Sequence, residues 1–294
     1  MEISAKDVMK LRQISGAGMM DCKKALTESG GDFDAAVDYL RKKGLKTAEK
    51  RADREANEGK VVFLKTADER AGVLLELNSE TDFVAGTPDF RAFAVDCASR
   101  ALEHKPADEA ALLALPAVQN PAITLGDQLS EMTGKLGEKM GVRRFCVLTI
   151  PEGRQGKVHT YIHLGDKHGV ILAATCDKVQ TVQAAPFQEL VNDLALQVVA
   201  YTPRALDRDS VDPAVVEHEL ELYREMIRAE GKPEAMVDKI AQGKLNKFYA
   251  ESTLLEQAFL KEEKSTVQQV VNQVAKELDD KIVVESFAAF VIGQ

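Results

Sequence analysis

An internal repeat constrains this chain more strongly than any other feature of its 294 residues. Three pairs of segments recur 97 positions apart: Gly59-Lys60-Val61 with Gly156-Lys157-Val158, Gly72-Val73-Leu74 with Gly169-Val170-Ile171, and the helical patterns that begin at Phe90 and Phe187. A constant spacing across a hairpin and a helix is difficult to obtain by chance. The repeat therefore predicts two copies of one strand–strand–helix unit.

The two copies differ immediately after the hairpin. The first copy continues with Thr81-Asp82-Phe83-Val84, whereas the matching positions of the second copy hold Lys178-Val179-Gln180-Thr181. The fold therefore does not require an aromatic side chain at this place. Phe83 is a candidate contact residue for a partner, and a buried core aromatic is the alternative interpretation.

The composition is that of an ordinary globular chain with room for two or three compact units. Hydrophobic residues make up 45% and charged residues 29% of the sequence. No run approaches the ~18 apolar residues of a membrane helix. The segment from Met1 to Asp7 has no basic, apolar leader, so we expect a cytoplasmic protein.

The cysteines and histidines favour structural roles. Four cysteines lie far apart at positions 22, 97, 146 and 176 without a Cys-x-x-Cys motif, which predicts reduced and mostly buried thiols. His159 and His163 share one face of a predicted strand. This spacing leaves a metal site open, although a solvent-facing row on a half-exposed strand is the preferred interpretation.

Charge is distributed unevenly along the chain. The net charge is −9, which opposes a broad nucleic-acid footprint, yet residues 1–54 hold 12 Lys/Arg against 9 Asp/Glu. The basic run at 41–54 has three interpretations: a solvated helix and linker, a docking module for an acidic protein surface, or an RNA-binding arm. The run lacks neighbouring aromatic residues for base stacking, which weakens the third.

Capping residues and hydrophobic periodicity divide the chain into helices and strands. The first part is predicted to hold helices at 4–14 and 19–29, a third from Asp32 to a stop at Gly44, and a charged helix or linker at 45–58. Copy one is predicted to hold strands at 61–65 and 73–77 and helices at 88–104 and 125–140. Copy two is predicted to hold strands at 145–150, 158–164 and 170–175, helices at 186–201, 212–229, 233–249 and 265–278, and a strand at 282–292.

These elements predict an α+β fold. A three-helix module resembling ubiquitin-associated domains, with its linker, occupies residues 1–55. A duplicated core of antiparallel sheets and helices follows, with an N-subdomain at 56–140 and a C-subdomain at 141–294. A helical hairpin at 212–249 is inserted into the second copy and has no counterpart in the first.

Motifs for catalysis and nucleotide binding are missing from the sequence. It has no Gly-x-Gly-x-x-Gly after a strand, no phosphate-binding loop ending in Gly-Lys-Ser/Thr, and no Gly-x-Ser-x-Gly elbow. The spacing of its acids and bases selects no general acid/base pair. The sequence therefore favours an interaction protein over an enzyme and predicts neither cofactor nor metal.

Three segments resemble bacterial elongation factor Ts: Arg12-Gln13-Ile14-Ser15-Gly16-Ala17-Gly18-Met19-Met20-Asp21-Cys22-Lys23-Lys24-Ala25-Leu26, Thr81-Asp82-Phe83-Val84 and Lys244-Leu245-Asn246-Lys247-Phe248-Tyr249. Their order and spacing match that family, and the likeness covers nearly the whole chain. Ser15 stands where the family usually has threonine, a mild change because both hydroxyls can cap the next turn. Some members continue with a helical module beyond the final strand. This chain stops at Gln294, so we expect contacts made by that module to be missing.

The resemblance implies a guanine-nucleotide exchange factor that binds elongation factor Tu and promotes GDP release by disturbing its Mg²⁺ and phosphate site. Such a factor binds no nucleotide, nucleic acid or membrane itself. The residues implied to bind the partner are Thr81, Asp82, Phe83 and Val84, with Phe83 as a wedge; Leu136 and Gly137 beside it; Arg12, Met19 and Met20 on the N-terminal module; and His163, facing the third domain of elongation factor Tu. A 2:2 assembly stays open.

Several of these residues also have interpretations that do not involve nucleotide exchange. A ubiquitin-associated-like interaction scaffold without exchange activity would use the same three-helix module. Met19 and Met20 follow a glycine turn at a helix start, where flexible thioethers suit either a binding surface or core filling. Gly134 and Gly137 indicate either a frayed helix end or close approach by a partner backbone.

Overall fold

Hairpins followed by helices recur through the computed structural model, which describes residues 3–163 and 165–294. Its helices are α1 (Ala5–Ser15), α2 (Met19–Glu28), α3 (Phe33–Arg51), α4 (Asp82–Ala85), α5 (Pro88–His104), α6 (Glu109–Leu113), α7 (Leu125–Leu136), α8 (Val179–Gln183), α9 (Ala185–Tyr201), α10 (Pro213–Ala229), α11 (Glu234–Ser252) and α12 (Val267–Glu277). Its strands are β1 (Glu58–Lys65), β2 (Ala71–Ser79), β3 (Met140–Thr149), β4 (Gln155–His163), β5 (His168–Cys176), β6 (Ala258–Phe259), β7 (Glu262–Thr266) and β8 (Val283–Val291).

The described residues form two compact units. The first contains residues 3–64, 73–147 and 290–294, and the second contains 65–72, 148–163 and 165–289. Two three-stranded sheets have the orders β1-β2-β3 and β4-β5-β8, and β4 pairs antiparallel with β5. The predicted α+β class is therefore confirmed. Within the described part of the chain, no helix is both long and apolar enough to cross a membrane.

The repeat is preserved in the backbone. From the first strand of each hairpin to the long helix that follows, every element of the first copy begins 97 positions before its counterpart: β1 and β4, β2 and β5, α4 and α8, α5 and α9. Phe90 and Phe187, near the starts of the long helices, are both fully buried. Lys105 and Thr202, which end those helices, both adopt the left-handed conformation.

One glycine in each copy shows why the hairpins share their sequence. A Cβ atom on Gly59 would overlap the carbonyl oxygen of Leu77 and lie 2.9 Å from the Cα of Asn78. A Cβ on Gly156 would overlap the carbonyl oxygen of Ala174 and lie 2.9 Å from the Cα of Thr175. The strands therefore approach too closely for any side chain at these positions.

The structure extends the repeat beyond the segments that the sequence revealed. Thr124 begins α7 and Thr266 begins α12, each with a reciprocal capping box, and each helix leads to the third strand of its sheet. The spacing has grown from 97 to 142 positions here because α10 and α11 intervene. The strand predicted at 145–150 was wrongly assigned to the second copy, because it lies in β3 and joins the sheet of β1 and β2.

The N-terminal module has its own small core. Ser4 and Asp32 cap α1 and α3 by accepting the N–H groups of Asp7 and Ala35. The buried residues of this core are Val8, Leu11, Cys22, Ala25, Leu26 and Ala36. The prediction that the third helix ends at Gly44 was wrong, because α3 continues through that residue to Arg51.

Gly44 lies inside α3, at a place where this helix packs against another. A Cβ on Gly134, in α7, would lie 2.8 Å from the Cα of Gly44. The two glycines let the backbones of α3 and α7 meet, and an ion pair of 2.7 Å between Arg41 and Glu131 accompanies the contact. Both interpretations of Gly134, a frayed end and a partner's backbone, are therefore replaced by packing within the first unit.

The helical hairpin of α10 and α11 buries little apolar surface and is anchored at its base. Its fully enclosed residues are Ile227, Val237 and Ala241. The Arg208 guanidinium stacks 4.7 Å from the ring centroid of Tyr249, donates to Asn246 Oδ1 at 3.0 Å and pairs with Glu256. The segment from Lys244 to Tyr249, which carries part of the family resemblance, thus holds the hairpin to the preceding loop.

Gly134→Ala tests the helix contact. Alanine normally favours a helix interior by about 1 kcal/mol over glycine, but here its methyl group would meet the backbone of Gly44. We expect a net loss of about 1–3 kcal/mol in unfolding free energy by urea titration. Around Gly243, in α11, the space within 4 Å of an added methyl group is open, so Gly243→Ala should instead raise stability. Equal stabilisation of both variants would contradict the close contact.

Candidate functional site

Phe83 is the most exposed large hydrophobic residue among those described, with 85% of its surface open to solvent. It lies in the four-residue helix α4, where its neighbours Val84 and Ala85 are buried in the core of the first unit. The core interpretation of Phe83 is therefore excluded. Val84, predicted to contact a partner, faces this core, and Asp82 is exposed beside Phe83.

The second copy contains the same short helix without the aromatic ring. Thr181 in α8 is buried at the position of Val84, and Gln180 stands at the position of Phe83. The exposed apolar side chain of α8 is Val179, which is 66% open to solvent and matches Asp82 in register. The repeat therefore supplies a helix that presents two adjacent side chains to solvent, and only the first copy places a phenylalanine there.

The two predicted contact segments of the first copy lie side by side. Glu138, which follows Leu136 and Gly137, accepts the Thr81 N–H at 2.9 Å and the Thr81 hydroxyl at 2.7 Å. Leu136 is partly buried against the core, and Gly137 ends α7 in the left-handed conformation with φ 74°. The helix therefore ends at Leu136 and not at Met140 as predicted, and its turn is tied to the segment that carries Phe83.

Glu80 completes this junction and was missed in the sequence. Its carboxylate accepts the Lys139 N–H at 2.6 Å and also pairs with Arg51 at 2.8 Å and Arg54 at 2.9 Å. The Lys139 hydrogen bond, together with the two arginines, lowers the pKa of Glu80 to about 2. Only its position before Thr81 marks Glu80 in the sequence, because carboxylate contacts at this separation follow no periodic pattern.

The N-terminal module of the first unit carries a second exposed surface. Met20 is 76% and Met19 49% exposed, so both thioethers are open to a partner and core filling is excluded. Arg12 is also exposed, and further exposed apolar side chains of the module include Met9 and Ile14. Ile14 borders a cavity of about 290 Å³ between the module and α7.

His163 lies in the second unit, exposed at the end of β4. Its Nδ1 is 3.3 Å from the Tyr161 hydroxyl, and the two rings stack with their centroids 6.0 Å apart. His159, on the same strand, does not join a solvent-facing row, because both its ring nitrogens are buried. Burial is the main cause that lowers the pKa of His159 to about 4, and the positive charges of Lys157 and Lys65 lower it further.

The cysteines and histidines of the described residues form no cluster of possible ligands. Across residues 3–163 and 165–294, no three His, Cys, Asp or Glu side chains gather as a metal site. The four cysteines are free thiols, and all but Cys146 are fully buried, as predicted. What the described surfaces present is an exposed aromatic ring, exposed thioethers and a hairpin end, which are features of protein contact.

Comparison of the sequence with known proteins identifies its family. The family model described as Elongation factor TS matches residues 80–294. Elongation factor Ts of Trichlorobacter lovleyi is 43% identical over 294 residues, covering all of this chain and 94% of that protein. The chain belongs to the elongation factor Ts family. Its relative in Chlorobaculum tepidum is 44% identical over 295 residues, with 99% of each chain covered.

Membership in the elongation factor Ts family assigns this chain a role in protein biosynthesis as a translation elongation factor. The family model begins at Glu80, the residue at the junction of the Phe83 segment. The relatives extend the match through the N-terminal module with its exposed methionines. Both surfaces described above are therefore parts of chains that are similar over their full length.

Glu80→Gln should make stability less dependent on pH. Because the folded-state pKa of Glu80 lies below its ordinary value of 4.5, its contribution is present above about pH 4.5 and is lost as the pH falls toward 2. At pH 7 we expect the variant to lose roughly 1–3 kcal/mol of unfolding free energy, a difference that shrinks in urea titrations at pH 4 and pH 3.

A surface carboxylate provides the control for Glu80. Glu103 pairs with Arg100 at 2.9 Å on an exposed part of α5. Glu103→Gln should change stability by less than about 0.5 kcal/mol at every pH. A Glu80→Gln deficit that stays constant from pH 7 to pH 3 would show that the ionised carboxylate is not what stabilises the junction.

Proposed function

We propose that this chain is the guanine-nucleotide exchange factor of elongation factor Tu and accelerates the release of GDP. The observation that carries the proposal is the Phe83 ring, 85% exposed on a short helix in which Val84 and Ala85 are buried in the core. Leaving a phenylalanine in water forfeits about 1.5–3 kcal/mol relative to burying it. A ring kept in that position is suited to insertion into a partner.

Exchange requires differential binding and no acid, base or nucleophile. If the factor weakens nucleotide binding by some ratio, bound nucleotide weakens binding of the factor by the same ratio. Phe83 would stabilise a state of the GTPase whose helices have separated around its Mg²⁺ and phosphate site. Asp82, exposed beside the ring, adds a negative charge that would disfavour phosphate nearby. Cellular GTP then refills the emptied site by mass action.

The other surfaces would provide affinity. Arg12, Met19 and Met20 are exposed basic and apolar side chains of the N-terminal module, which would suit docking on the same GTPase. His163 and Tyr161 offer a second, stacked contact at the hairpin end of the other unit. Within this proposal the chain is not an enzyme and needs no cofactor. It binds neither nucleotide, nucleic acid nor membrane, and it acts in the cytoplasm. A scaffold without exchange activity would leave the exposed Phe83 unexplained.

Phe83→Ala tests whether the exposed ring is needed for exchange and not for folding. Because the ring is exposed, the variant should lose less than about 0.5 kcal/mol of stability. Release of fluorescent GDP from elongation factor Tu should slow by at least about tenfold, because an interaction made on the path to release is gone.

Two controls accompany Phe83→Ala. Gln180→Ala changes the matching exposed position in the second copy and should leave both stability and GDP release unchanged. Phe90→Ala empties a fully buried site and should cost about 3–5 kcal/mol without a specific exchange defect in the folded fraction. A stable and fully active Phe83→Ala protein would refute the wedge.

Met20→Ser tests the docking patch. Losing an exposed thioether from the interface should raise the factor concentration for half-maximal GDP release by about fivefold or more, with little change in the maximal rate. Val179→Ser, which alters another exposed apolar side chain in the second unit, should change neither quantity. An unaltered concentration dependence for Met20→Ser would remove Met20 from the interface.

A further inference from the structure

The orientation of Phe83 depends on the backbone beneath it. α4 has only four residues, too few for a helix to be stable without support from its surroundings. Its cap is weak, because the Thr81 hydroxyl lies 3.4 Å from the Val84 N–H that it accepts. With 85% of the ring in solvent, little side-chain packing can fix its direction. The burial of Val84 and Ala85 fixes one side of the helix, and contacts of the residues just before the helix hold its start.

Two glutamates supply those contacts in a reciprocal arrangement. The Glu80 carboxylate accepts the backbone N–H of Lys139 at 2.6 Å. The Glu138 carboxylate accepts the backbone N–H and hydroxyl of Thr81 at 2.9 and 2.7 Å. The segment at 80–81 and the turn at 138–139 thus each donate a backbone N–H to a carboxylate of the other. Such charge-assisted hydrogen bonds are stronger than neutral ones. We call the two glutamates and their acceptor contacts the carboxylate clamp.

The second copy contains half of the same clamp. Asp280 occupies the turn between α12 and β8, as Glu138 occupies the turn between α7 and β3, and its carboxylate accepts the N–H groups of Asp177 and Lys178 at 3.2 and 3.1 Å. Lys178 matches Thr81 in the repeat. At the position of Glu80, the Asp177 carboxylate lies 3.5 Å from Arg154. The half formed by Asp280 therefore serves the fold of the repeat.

The first copy extends this inherited half in two ways. Glu80 adds the reciprocal hydrogen bond to Lys139, and the same carboxylate receives Arg51 and Arg54 from the end of the N-terminal module. Both additions occur in the copy that carries the exposed ring. We propose that Glu138 and Glu80 are positioning residues for nucleotide exchange, which hold Phe83 and the Gly137 turn in one arrangement before the partner arrives; this inference rests on the proposed function.

The test is a double-mutant cycle on GDP release from elongation factor Tu, using the full chain and a series of factor concentrations. Glu138→Ala removes both acceptors of Thr81. We expect the maximal stimulated rate to fall at least about tenfold, because misplacing the ring by a fraction of a helical turn removes the geometry on which release depends. The concentration for half-maximal stimulation should change less than about threefold, since the Met19 and Met20 surface is unaltered.

The cycle discriminates positioning from simple loss of stability. Once Glu138 is gone, adding Phe83→Ala should slow release by less than about twofold further, because both changes remove one interaction. Asp280→Ala is the matched control: it removes the equivalent acceptor in the second copy, so its effect and that of Phe83→Ala should multiply independently. Glu138→Gln, whose amide keeps one acceptor oxygen, should restore part of the maximal rate and guards against an unfolded alanine variant.

The possible outcomes distinguish failure of the positioning role from failure of the proposed function. A wild-type chain that does not accelerate GDP release overturns the proposed function and this inference with it. An active wild type in which Glu138→Ala and Phe83→Ala act independently, or in which Asp280→Ala interacts with Phe83→Ala as strongly as Glu138→Ala does, overturns only the positioning role. Folding of every variant is checked by circular dichroism and thermal melting.

Discussion

The carboxylate of Glu80 is the contact on which the surroundings of the exposed Phe83 depend. It joins the end of α3, the segment that carries Phe83 and the turn after α7, through Arg51, Arg54 and the Lys139 N–H. With only 18% of its side chain exposed, this carboxylate has lost most of its hydration and needs those donors. One carboxylate therefore links the segment before Phe83 to the end of α3 and to the turn after α7.

Duplication explains how such a surface arises without disturbing the fold. Both copies share the hairpin, the glycine that admits the neighbouring strand, the short exposed helix and the long helix with its buried phenylalanine. These features stabilise the core in each unit, so they tolerate little change. The exposed positions of α4 and α8 contribute little to either core. A phenylalanine could be placed there in one copy and glutamine in the other at small cost to stability.

Sequence reasoning succeeded for features with a regular local signature and failed where the same residue serves two purposes. The constant spacing of 97 located the hairpins and long helices, and the missing aromatic at Gln180 directed attention to Phe83. Gly44 was misread as a helix end because glycine both terminates helices and lets two of them touch. Which applies at Gly44 depends on Gly134, 90 positions away. The strand at 145–150 was misassigned because its neighbours in sequence are not its neighbours in the sheet.

By itself, the sequence determined the repeat, the α+β class, the three-helix module and an aromatic residue that the repeat does not require. Those features depend on side-chain periodicity and on capping residues within a few positions of each other. Only the tertiary structure decided that Phe83 is exposed, that Glu138 holds Thr81 and Glu80 holds Lys139, and that α3 rests on α7. These contacts join residues 57 to 90 positions apart through hydrogen bonds and close backbone approach, which impose no repeating pattern on the chain.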